Sequence, residues 1–85
     1  MSPEHGARRS RVILVEPALT QLAKLTASET HRLDRAIVAI SVNPNLGIQV
    51  PGTLLRDYAD EIDDVRVIYY VTALGSVTIV AYVEA

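Results

Sequence analysis

The sequence predicts an α+β domain in the order β-α-α-β-β-β, a helix hairpin packed on one face of a small, mostly antiparallel sheet. Three observations carry this. The last third, Val65–Ala85, holds two β-rich runs around a short turn. A hydroxyl and a carboxylate three residues apart, Thr26 and Glu29, open a stretch of helical periodicity that stops at Asn43-Pro44. A short β-branched run near the start, Val12–Val15, adds one more strand.

The hairpin comes first because the rest is organised around it. Val65–Thr72 and Ser76–Val83 are rich in Val, Ile, Thr and Tyr, residues that suit a pleated, half-buried surface. Ala73-Leu74-Gly75 forms the turn between them, with Gly75 free to take a positive φ. Side chains alternate across a strand. Val67, Tyr69 and Val71 therefore share one face, and Arg66, Ile68, Tyr70 and Thr72 the other. In the second run Ile79, Ala81 and Val83 alternate with Thr78, Val80 and Tyr82. Neither face is polar, which is the pattern of strands covered on both sides.

The other elements follow in order. Residues 1–10 are polar, with Pro3 and Gly6, and read as a flexible N-terminal tail; residues 11–85 read as a single domain. Arg11–Glu16 is a strand. Ala18–Leu25 carries a short apolar stripe, Leu19, Leu22 and Leu25, behind Pro17, the residue suited to a helix start. The second helix runs from about Ser28 to Val42, with Leu33, Ala36, Ile37 and Ile40 on its core side. Its far side holds His31, Arg35, Val38 and Val42, which are either a partner surface or scattered surface apolars. Asn43–Thr53 is a loop, Leu54–Tyr58 a short strand and Asp57–Asp64 a solvated acidic turn.

Composition narrows the class. The chain has 85 residues, enough for one domain, and 49% are apolar, which argues against disorder. It has no cysteine, which excludes disulfides and thiolate zinc sites. No stretch has the length of a membrane span and none resembles a signal peptide, so the expectation is a soluble, cytoplasmic protein with no membrane contact. Residues 1–56 carry seven basic groups against four acidic ones, whereas residues 57–85 carry Arg66 against six acids. Such a balance speaks against simple binding to a phosphate backbone.

No metal or nucleophile motif is present. The acidic turn lacks the spacing of a calcium loop, and His5 and His31 have no matched ligands. Arg66 stands out because arginine seldom sits inside a sheet without a partner. It is either an anion-binding fork or one half of a salt bridge to Asp57, Asp60 or Asp64, and the density of nearby acids favours the bridge.

The run Arg66-Val67-Ile68-Tyr69-Tyr70-Val71, the Asn43-Pro44 helix end and the helix hairpin before them resemble the RelE/ParE superfamily, the toxins of type II toxin–antitoxin modules. The resemblance spans Arg11–Ala85. It implies repression of translation by metal-free, ribosome-dependent cleavage of messenger RNA, with no cofactor. Arg66 matches the family's strand arginine; Arg56, Tyr70 and Tyr82 are the side chains available to assist it as catalytic residues. Asp57, Asp60 and Glu61 stand where nucleases of the family tend to carry lysines. The alternative that the resemblance implies is a non-catalytic module acting through protein contacts, by antitoxin pairing or gyrase inhibition. Implied partners are an antitoxin protein, the ribosome and messenger RNA.

Two short helices can cover only one face of such a sheet. Ile68, Tyr70, Val80 and Tyr82 are expected on the open face. A second copy of the chain or an antitoxin segment is the expected cover, and pairing through the valine side of the second helix is the competing geometry.

Overall fold

A computed structural model describes residues 10–72 and 75–85. The expectations for residues 1–9, and for Ala73 and Leu74 in the turn, lie outside the described residues. The elements run β1 (Arg11–Leu14), α1 (Ala18–Ala23), α2 (Ala27–Val42), β2 (Ile48–Gln49), β3 (Arg56–Asp60), β4 (Val65–Val71) and β5 (Val77–Glu84). The sheet order is β1-β5-β4-β3-β2. β1 lies parallel to β5, and every other pairing is antiparallel. Both helices pack on one side of this sheet, the α+β arrangement expected.

The capping box forms as its spacing demands. Thr26 Oγ1 accepts from the Glu29 N–H at 3.1 Å, and Glu29 Oε1 accepts from the Thr26 N–H at 2.8 Å. From that start α2 turns Leu33, Ala36 and Ile40 into the core, where they meet Val65, Val67 and Tyr69 of β4 and Val80 and Val83 of β5. Ser10, read with the tail, is buried. Its hydroxyl shares a 2.7 Å hydrogen bond with Thr78, and its N–H donates to the Ser41 carbonyl oxygen at 2.8 Å.

Besides Ser10 and small shifts of element ends, the structure departs from expectation in three places. The third strand begins and ends two residues later than Leu54–Tyr58, so Asp57 and Asp60 belong to β3 and the turn shrinks to the residues between Asp60 and Val65. Asp60 Oδ1 accepts from the N–H groups of Ile62 and Asp63, and Asp64 takes a positive φ of 56°. That local bonding lets an acid-rich segment turn within four residues. Second, β2 forms inside the predicted loop as a two-residue edge strand on β3. Third, the β4–β5 register shifts between Ile68, opposite Tyr82, and Tyr69, opposite Val80. Ala81 is thus a bulge, and the alternation reverses across it. Val80, expected on the open face, is fully buried under the helices, while Tyr82 stays on the open side.

Candidate functional site

The register assigns every open-face residue. On that face Asp57, Ile68 and Tyr82 form one cross-strand row, and Ala59, Arg66 and Glu84 form the next. Ile13 of β1 continues the face beside Ile79, which sits opposite Tyr70. The result is an apolar strip with one charged cluster at its β3–β4 end.

Within the cluster the bonds run diagonally between the two rows. Arg66 Nε donates to Asp57 Oδ1 at 3.0 Å and to Oδ2 at 3.2 Å, while Nη2 donates to Oδ2 at 2.5 Å. The Arg66 side chain is 46% exposed and that of Asp57 28%. Hydrogen bonding from Arg66 holds the Asp57 carboxyl below its ordinary range, and the same bond raises the guanidinium. The Tyr82 hydroxyl donates to Glu84 Oε2. This bond, together with desolvation and the nearby carboxylate charge, raises the Tyr82 phenol above its ordinary value, so it keeps its proton.

Three of the residues singled out from sequence, Arg66, Tyr70 and Tyr82, share this face. Arg56 does not join them. It lies opposite Tyr69, on the helix side, and its Nη1 donates to the Gly47 carbonyl oxygen at 2.7 Å and to that of Asn45 at 3.5 Å. Its charge is spent on holding the loop after α2. Of the acids offered as partners for Arg66, Asp57 is the one bonded to it. Asp60 caps the turn, and Asp63 pairs with Arg35 of α2 at 2.7 Å.

Sequence reasoning missed Glu84. The signal was there: residues two apart on a strand share a face, which pairs Glu84 with Tyr82. Chemically the cluster offers a carboxylate able to accept a proton, a phenol able to give one and a guanidinium, all at one end of an apolar surface. Its formal charge is negative, since Asp57 and Glu84 outnumber Arg66.

No protein-family model matches the sequence, and no curated protein sequence matches it. Solved structures do match. The chain is similar to the toxin of the intact E. coli RelBE toxin–antitoxin complex, with a TM-score of 0.74 and 19% identity over 88% of this chain and 94% of that one. A mutant E. coli RelE in complex with antitoxin RelBc peptide matches at TM-score 0.73 and 21% identity, over 91% of this chain and 86% of the other. The archaeal RelE–RelB complex of Pyrococcus horikoshii gives 0.65 and 22%, over 89% and 93%. At these identities the likeness is one of architecture: the chain has the RelE toxin fold.

Proposed function

We propose that this protein is the toxin component of a type II toxin–antitoxin pair, kept inactive by an antitoxin that covers the open face of its sheet. The observation that carries the reading is that bare, apolar face on a fold whose solved examples include RelE with RelB. Ile68, Tyr70, Ile79 and Tyr82 are only half-buried there. Covering the exposed part of each such side chain is worth roughly 1 kcal/mol, and four of them together give a partner a substantial drive. Growth after induction of the chain tests this. Arrest that is relieved by co-expressing the protein encoded beside it supports the reading, and undiminished growth refutes it.

Two modes of action remain, and the charged cluster favours one. In ribosome-dependent cleavage of messenger RNA, Arg66 would bind the scissile phosphate, Glu84 would take the 2′-hydroxyl proton and Tyr82 would protonate the leaving oxygen. That arrangement has to stabilise a developing oxyanion. Here two of the three guanidinium nitrogens, Nε and Nη2, are already bonded to Asp57, the Tyr82 proton points at Glu84, and Arg56 lies on the other face. A cluster of net negative charge repels a phosphodiester. The second mode, toxicity through protein contacts, asks nothing of Arg66 beyond its salt bridge, and it is the one the geometry supports best. Incubating the pure protein with ribosome-bound messenger RNA separates them: intact message accords with protein contacts, and codon-spaced cuts establish the nuclease.

A further inference from the structure

We propose that the open face carries a built groove for a partner segment that presents an apolar side chain and, close beside it, a basic one. The groove has a volume of about 680 Å³ and lies over the paired β2 and β3 at the sheet edge, walled by Leu46, Ile48, Val50 and Pro51. Ile48 is 78% exposed and Leu46 41%, a high exposure for two large apolar residues flanking Gly47, next to one another on a sheet edge. Past Ala59 and Arg66, which line both spaces, the groove runs on into a hollow of about 200 Å³ walled by Asp60, Glu61, Asp64 and Glu84.

The apolar wall sets the anchor and the charge sets its neighbour. Arg66 is the cation in the hollow, and Asp57 already pairs with it. Asp60 is taken up by the turn. That leaves the carboxylates of Glu61, Asp64 and Glu84 lining a space the size of one side-chain head, which accepts a lysine or arginine and rejects a phosphate or an acidic peptide. Ile48 lies opposite Asp57, and the hollow begins two to three residues further along β3. At strand rise that places the two subsites roughly 7–10 Å apart, the distance between residues two or three apart in an extended peptide. The biological occupant rests on the proposal above, in which an antitoxin covers this face; it would then be a basic, amphipathic stretch of that antitoxin. The selectivity of the groove itself is measurable without any antitoxin.

The test is a fluorescence-anisotropy titration of the full chain with three labelled peptides of equal length, built on the repeats Leu-Ser-Arg-Ser, Leu-Ser-Glu-Ser and Ser-Ser-Arg-Ser. The Leu/Arg peptide is expected to bind about tenfold or more tightly than either control. Ile48→Glu and Glu61→Lys should each remove most of that advantage, in proteins whose circular dichroism is unchanged. Ile48→Ser serves in place of Ile48→Glu if the latter does not fold. Equal affinity for all three peptides, or Leu/Arg binding indifferent to both substitutions, overturns the proposal. If that happens while the neighbouring gene product still relieves growth arrest, the groove is wrong and the antitoxin reading stands. Selective peptide binding without any such relief is the reverse outcome.

Discussion

The Tyr69 hydroxyl donates to the Pro44 carbonyl oxygen at 2.7 Å and accepts from the Gly47 N–H at 2.9 Å. One buried phenol thereby ties β4 to the loop that leaves α2. The loop in turn has room for nothing more than a glycine, since a Cβ at Gly47 would stand 3.0 Å from Tyr69 and from the Cβ of Arg56. Tyr69→Phe leaves a buried donor without its acceptor and should cost about 1–3 kcal/mol. Gly47→Ala should cost a similar amount, about 1–3 kcal/mol, through overpacking. Urea midpoints of the two variants check both values, and a Gly47→Ala midpoint equal to wild type would refute the crowding. Arg66 makes a contrasting case. Its ion pair is half exposed and screened by solvent, so Arg66→Ala should change stability little. Under the protein-contact mode the folded variant still arrests growth; loss of arrest with the fold intact would return Arg66 to the role of phosphate ligand.

At the scale of elements, the hairpin and α2 were legible because each is over-determined locally. A capping box, an apolar stripe and an Asn-Pro stop agree on α2, and β-branched runs around Gly75 agree on the hairpin. What escaped was set by partners distant in sequence. The bulge at Ala81 has no local signature; it depends on how β5 meets β4 and α1. The Val83 N–H next to it donates to Gln21 Oε1 of α1 at 2.8 Å, across 62 residues of sequence. β2 is equally invisible, because two residues carry no periodicity and only the pairing with β3 makes them a strand. The site was half legible for the same reason. Arg66 announced itself as a cation within a strand, whereas the separation of Arg56 onto the other face needed the exact register. Two stability changes follow at this scale. Thr26→Ala should lower stability by about 1 kcal/mol through loss of the cap. Gln21→Ala should cost about 1–3 kcal/mol by leaving the Val83 donor unsatisfied. Thermal or urea unfolding measures each, and a neutral Gln21→Ala would mean that the bulge does not depend on α1.

For the whole molecule, the acid limit of stability is set by carboxylates held low in the folded state, chief among them those of the two ion pairs among the described residues. Asp57 beside Arg66 and Asp63 beside Arg35 both have folded-state values below the ordinary carboxylate range, chiefly through guanidinium hydrogen bonds. A lowered folded value gives stability that is complete above the unfolded value, about 3.9 for Asp, and lost as pH falls through the folded one. The urea midpoint should therefore be level from neutral pH to about 5 and fall below about 4. In Asp57→Asn/Asp63→Asn the midpoint should start lower and fall less steeply. The open face governs association. Without an antitoxin the pure protein is expected to self-associate as a symmetric dimer, read by sedimentation over a concentration series; a monomer at every concentration would contradict this. On the function proposed above, a dedicated protein partner covers this face. The direct measurement is the native mass of the material recovered when the tagged chain is co-expressed with the protein encoded beside it. A complex of fixed stoichiometry, in which Ile68, Tyr70 and Ile79 become protected from solvent labelling, is the predicted result. Recovery of this chain alone, with the same residues still accessible, would contradict it.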